Sequence, residues 1–97
     1  MQKVFSEKES KRLEIFTKGY ASKRRIVLLT LVAHTPHLTV EELAERSQLG
    51  YETVAVHLQK LERAGLVAKR YSGLAVKHAC TKRGALVLKH LAALAKS

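Results

Sequence analysis

Apolar residues along the chain recur mostly at three-to-four spacing, which predicts a mainly helical protein interrupted once by a short β-hairpin. Residues 7–18 are charged, with Leu13, Ile15 and Phe16 as the main apolar positions and Gly19 as the expected stop of a short N-terminal helix. Ser22 is placed to cap a second helix, Lys23–His34, whose Ile26, Leu29 and Val32 or Ala33 share one face. Pro36 ends it, because the residue before a proline is pushed out of the helical region. Thr39-Val40-Glu41-Glu42 has the spacing of a capping box, in which hydroxyl and carboxylate satisfy each other's exposed backbone donors. It opens a short helix, Val40–Ser47, with Val40, Leu43 and Ala44 facing inward.

Leu49-Gly50 then makes a tight turn into a further helix, Tyr51–Ala64, where Val54, Leu58 and Leu61 form a stripe. Gly65 suits its C-terminal glycine position. Beyond it the period changes. Leu66–Tyr71 and Leu74–Thr81 are β-compatible runs joined by Ser72-Gly73. Thr81 caps a last helix, Lys82–Lys96, carrying Leu86, Val87, Leu88, Leu91 and Leu94. The expected organisation is an N-terminal helical extension (1–21), a compact unit (22–81) and a C-terminal helix (82–97).

At 97 residues, this is the length of one domain. The longest mostly apolar run, Ile26–Ala33, falls far short of the roughly 20 residues that span a membrane. The charged N-terminus is no signal peptide. Charge changes the picture more. The net charge is +10, and every acid lies at or before Glu62. From Arg63 onward there are only cations, a distribution that attracts polyanions. An acidic membrane surface would call for a helix with a basic face and a bulky apolar one. Here the cations flank strand-like segments, which favours nucleic acid.

The segment TVEELAERSQLGYETVAVHLQKLERAG, residues 39–65, resembles a helix-turn-helix, and LVAKRYSGLAVKHACTKRG is similar to the strand, wing, strand and helix start that follow it in small regulators. The resemblance spans about residues 22–90. It is nearest to the arsenical-repressor and multiple-antibiotic-resistance regulator groups and to compact archaeal winged-helix regulators. It implies a winged helix-turn-helix fold, with a three-helix core, a wing and a C-terminal helix. It also implies a sequence-specific regulator of transcription that binds double-stranded DNA, usually as a homodimer, with Tyr51–Ala64 in the major groove. The expected setting is the cytoplasm, on the nucleoid.

The residues support this independently. If Val54, Leu58 and Leu61 face the core, about 100° per residue turns Glu52, Thr53, Val56, Gln59, Lys60 and Arg63 outward. Gln59 has the groups for a bidentate bond to adenine, and Val56 for contact with a thymine methyl. Lys60 and Arg63 suit phosphates, and Thr53 either a base or a phosphate. Glu52 is repelled by phosphate unless it accepts from a cytosine amine. Tyr51 reads equally as a phosphate contact and as packing at the helix start. His57, at the edge of the buried stripe, reads as structural. Lys69, Arg70 and Lys77 flank the hairpin turn and suit DNA backbone contact, whereas the turn itself, Ser72-Gly73-Leu74-Ala75, lacks a cation for the minor groove.

Other chemistry has little support. His34 and His37 are two imidazoles where zinc needs three or four ligands, and residues 40–49 hold none of the cysteines that metal-sensing relatives place there. Cys80 reads as a small buried residue; a redox role is the alternative. With no Asp, no phosphate-cradling glycine loop and no paired acids on an expected pocket, an enzyme is not indicated, and no cofactor is called for. The last helix is apolar on more than one stripe. A two-fold dimer burying Leu88, Leu91 and Leu94 with Leu13, Ile15 and Phe16 is the economical solution. Two rivals share the composition: an architectural protein coating DNA without sequence preference, and a winged helix that contacts protein within a transcription or replication assembly.

Overall fold

A computed structural model describes residues 2–97. The elements run α1 (Glu7–Tyr20), α2 (Lys23–His34), α3 (Val40–Ser47), α4 (Tyr51–Arg63), β1 (Val67–Ser72), β2 (Ala75–Cys80) and α5 (Lys82–Ala95). Four helices open on side-chain caps. Ser6 with Glu9 and Thr39 with Glu42 form reciprocal capping boxes. Ser22 accepts from the Arg25 amide, and Thr81 from the Gly84 amide at 3.1 Å. Thr81 also donates its hydroxyl to the Gly65 carbonyl at 2.6 Å, tying the start of α5 to the end of α4.

Leu28, Leu29, Val32, Leu43, Val54, Leu58, Leu61 and Leu66 are essentially solvent-free where α2, α3 and α4 converge. Burying each such side chain is worth about 1.5–3 kcal/mol, so this cluster sets the mutual angle of α3 and α4. On α2 the buried positions include Leu28, while Ile26 is only half-buried. The stripe expected from Ile26, Leu29 and Val32 is thus rotated by a fraction of a turn, because α2 is covered by α4 on one side and by β2 and α5 on the other.

Gly65, at φ +75°, reverses the chain after α4. Its amide donates to the Glu62 carbonyl and the Leu66 amide to the Leu61 carbonyl, a Schellman ending closed by contact between Leu61 and Leu66. Leu66 therefore belongs to the core-facing turn and not to the first strand, as the sequence pattern had it. The antiparallel strands pair from Val67 with Cys80 to Ser72 with Ala75, leaving Gly73-Leu74 as a two-residue turn. Expected strand ends at Leu74 and Thr81 are displaced, Leu74 into the turn and Thr81 into the cap of α5.

Among the described residues His78 is the one buried polar side chain of the core, 1% exposed. Its Nδ1 donates to the Leu38 carbonyl at 3.0 Å, and its backbone pairs with His37 and Leu38. The hairpin is thereby fastened to the turn between α2 and α3. That turn is further shaped by His37 at φ 72°.

Two glycines are held by close packing, and the first departs from its expected role. Gly19 does not end α1, which runs on to Tyr20; it is buried, and a Cβ there would collide with the Cβ of Ala64. Gly84 lies inside the first turn of α5, pressed against the Leu66 carbonyl. The turn before α4 likewise departs from Leu49-Gly50: its left-handed residue is Gln48, φ 61°, and Gly50 is extended.

Candidate nucleic-acid interface

Helix α4 buries Val54, Leu58 and Leu61, and the remainder of its circumference has three distinct sectors. On the outer crest Glu52, Val56, Gln59, Lys60 and Arg63 are exposed, with Val56 at 50% despite being apolar. The flank toward β1 carries Glu62, whose carboxylate pairs with Lys69 at 3.4 Å. The flank toward α2 carries Thr53 and His57, both half-buried; Thr53 thus sits beside the crest where periodicity had put it on the outer face.

The wing cations divide between two faces. Register places Arg70 directly opposite Lys77, so these two share one side of the hairpin. Lys69 lies on the other side with its ammonium turned to α4. Like charges facing each other across strands are unfavourable in isolation, which leaves Arg70 and Lys77 as a local excess of positive potential. At the tip Leu74 is fully exposed. Tyr51 is 55% exposed and lines a shallow groove with Thr39, Val40 and Leu74, between the start of α3 and the wing.

His57 has a buried Nδ1 with no hydrogen-bond partner. Burial first, then the charges of Arg25, Lys60 and Arg24, hold its pKa below the usual 6.5. In the unfolded chain the ring takes its proton at the ordinary value, so between the two pKa values the unfolded state binds more protons. Stability should fall as the pH drops through that window and level off below it. Urea unfolding of the wild type and His57→Gln at a series of pH values between about 5 and 8 tests this. The variant should lose slope just below 6.5, and an unchanged slope would assign the effect to another group.

His34, His37 and the thiol are engaged structurally. His34 Nδ1 donates to the Thr30 carbonyl at 2.9 Å, and the backbone amide of His37 donates to the His78 carbonyl. Cys80 is half-buried against the core, and burial pushes its thiol pKa up, away from the thiolate that redox chemistry requires. Arg83 places its guanidinium 5.2 Å from the centre of the Phe16 ring and joins α1 to α5.

On α1 and α5, Leu13 (40% exposed), Ile15 (59%) and Leu94 (53%) are open to solvent, as is Leu86 (67%). Leu88 and Leu91 are half-buried, and so is Phe16 beneath Arg83. The six residues expected at a dimer interface thus fall into three that are exposed and three that are partly covered within the chain. No helix among the described residues is long and apolar enough to cross a membrane.

Comparison with known proteins agrees with this architecture. Residues 22–72, more than half of the chain, match the MarR family. The transcriptional regulator HlyU from Vibrio vulnificus is 28% identical with a TM-score of 0.73, over 91% of this chain and 92% of that one. NolR from Sinorhizobium fredii is 26% identical with a TM-score of 0.80, over 99% and 95%. A homodimeric winged helix-turn-helix DNA-binding domain from Mycobacterium bovis, described as a possible ArsR-family regulator, shares the fold at 23% identity, with a TM-score of 0.77 over 99% and 90%. No curated protein matches the chain. The chain belongs to the MarR family, and its fold is the winged helix-turn-helix of that type of transcription regulator.

Proposed function

We propose that the protein is a homodimeric repressor that reads a pseudo-palindromic DNA site, with α4 of each protomer in a major groove. The observation that carries this reading is the crest of α4. An exposed valine and an exposed glutamine stand side by side on a helix locked to the core by Val54, Leu58 and Leu61, and cations with no ion-pair partner among the described residues follow them at Lys60 and Arg63. Val56 then meets a thymine methyl and Gln59 an adenine edge, with Thr53 and Glu52 beside them at the entering end of the helix. Arg70 and Lys77 hold the DNA backbone on the wing side, Lys69 reaches it from its pairing with Glu62, and Tyr51 contacts a phosphate near the wing tip.

The dimer forms through Leu13, Ile15, Phe16, Leu88, Leu91 and Leu94, an apolar surface that α1 and α5 share. Such a dimer places its half-sites about one helical turn apart. By occupying that site the protein blocks the promoter, which sets its place on the nucleoid in the cytoplasm. The high positive charge also favours a second reading, an architectural protein indifferent to sequence.

Selection from a random duplex library at near-physiological salt separates them: a two-fold consensus supports the regulator, and recovery of DNA without a consensus supports the coating protein. Recovery of no DNA would direct attention to a protein partner. With the selected duplex in hand, Gln59→Ala should cost about 1–3 kcal/mol on that site and leave affinity for random DNA nearly unchanged. Lys69→Ala should weaken both alike and reduce the salt slope by about 1. Equal losses for Gln59→Ala on every sequence would remove its reading role.

A further inference from the structure

We infer that the corner formed by α1 and the first turn of α2 is a second DNA-backbone clamp, in which Lys18, Arg24 and Arg25, together with Lys60 and Arg63 of α4, hold phosphates of the strand opposite to the one met by the wing. This inference rests on the proposed DNA-reading role of α4.

A helix lying in a major groove about 12 Å wide has a phosphate backbone on each side. The wing supplies one side. On the other, α1, α2 and α4 enclose an open groove of about 350 Å³, lined by Lys18, Arg25, Lys60 and Arg63 with no acid among them, and by Ile15, which it shares with the proposed dimer surface. One turn nearer the start of α4, Arg24 and His57 line a companion groove with Glu52 and Thr53. Lys18, Arg24 and Arg25 thus add positive charge beside the crest cations Lys60 and Arg63, with Glu52 the one acid lining either groove.

These charges are not neutralised within the fold. Among the described residues neither Arg24, Arg25, Lys60 nor Arg63 has an ion-pair partner, and Lys18 shares only an exposed contact with Glu14 at 3.6 Å. Arg25 Nε is buried with nothing to donate to, as is the neighbouring His57 Nδ1 without a partner. Buried polar atoms are rarely left unsatisfied, and two side by side beneath a cationic surface mark where an anionic acceptor belongs. An extended backbone carrying one phosphate at each step suits a row of cations better than a compact ligand does.

The packing that creates the corner is specific. Gly19 lets α1 approach Ala64 closely, which sets Lys18 beside Lys60 and Arg63. A phosphate arriving there offsets the charges of Arg24, Arg25 and Lys60 that face His57, with Glu52 the only acid in the companion groove. His57 therefore takes a proton more readily in the complex than in the free protein.

The test compares wild type, Lys18→Gln, Arg24→Gln and Arg25→Gln on the selected duplex and on random DNA, by fluorescence anisotropy over a range of salt. Lys18 and Arg24 are exposed, so their variants keep the fold even if Arg25→Gln loosens it. Each variant should lose affinity several-fold on both duplexes and lower the salt slope by about 1. Neutral methylphosphonates on the strand opposite to the wing should weaken the wild type and leave Arg24→Gln little affected. The His57 pKa, followed by NMR, should rise on binding DNA.

Wild-type slopes in Lys18→Gln and Arg24→Gln, with DNA binding by the wild type intact, would overturn the clamp and spare the reading role of α4. Millimolar inorganic phosphate that shifts His57 without DNA, with those slopes unchanged, would make the corner a small-anion site and also overturn the clamp. A wild type that binds no DNA overturns both.

Discussion

Replacing Gly84 with valine should lower the thermal midpoint by about 15 °C, the largest loss of stability expected from one small substitution in this chain. The residue lies in the first turn of α5, where the helix rests directly on the polypeptide leaving α4. A side chain there meets the Leu66 carbonyl oxygen and, at 2.7 Å, the Cys80 sulfur. The carbonyl is backbone and cannot swing aside, and Leu66 is anchored by the Schellman ending of α4. The Thr81 hydroxyl, bonded to both the Gly84 amide and the Gly65 carbonyl, holds the two segments at this separation.

Overpacking of this kind costs about 1–3 kcal/mol or more. The gain in helix propensity on replacing glycine is a fraction of 1 kcal/mol for a β-branched residue, so the clash wins. At about 4–8 °C per kcal/mol for a domain of this size, a net 3 kcal/mol gives the stated shift. Circular dichroism melts of wild type and Gly84→Val measure it. A midpoint within 2–3 °C of wild type, well under the roughly 4–8 °C that 1 kcal/mol produces, would mean that α5 is not seated against Leu66.

What the sequence made legible, and what it did not, divides along the range of the interactions. Ser22, Thr39 and Thr81 could be read as caps because the accepting hydroxyl and the amide that donates to it lie three residues apart. Val54, Leu58 and Leu61 could be read as the buried stripe of α4 because helix periodicity alone aligns them. Gly19 and Gly84 could not be read, since the atoms that forbid a side chain at each, on Ala64 and Leu66, come from distant parts of the chain. The same holds for His78, whose partner Leu38 is 40 residues away.

Among the candidate contact residues, the crest of α4 was legible and the flank toward α2 was not. Arg24 and Arg25 look like ordinary surface charge until α2 is set against α4. Lys69 and Arg70 are a different case. Period-two alternation already sends adjacent strand residues to opposite faces, and only the pairing of Lys69 with Glu62 required the fold. At the dimer surface, periodicity marked α5 as apolar on several sides, but the division between Leu88, which packs inward, and Leu94, which does not, depends on where the core ends.

Leu94→Glu should convert the protein to a monomer and weaken binding to a two-fold site by about 100-fold or more. Leu94 is outside the core cluster and half-exposed, so a carboxylate there costs the isolated fold little. In the proposed dimer it brings two like charges into an apolar contact across the two-fold axis, an arrangement that must either desolvate both or separate the protomers. Loss of the partner then acts on DNA affinity through effective concentration. When two reading helices are joined, the second half-site is bound as an intramolecular event, which raises overall affinity by about 10²–10⁴-fold without any new contact. A monomer keeps every contact of α4 and forfeits that factor. Affinity for a single half-site should therefore be the same in wild type and variant, whereas affinity for the full site should differ. Light scattering after size exclusion gives the mass, and anisotropy on half-site and full-site duplexes gives the two affinities. Leu13→Glu should behave in the same way, because Leu13 belongs to the proposed interface, is exposed, and lies outside the groove of Lys18, Arg25, Lys60 and Arg63. If both variants remain dimeric with full-site affinity intact, the protomers meet elsewhere and the exposed leucines of α5 have another use.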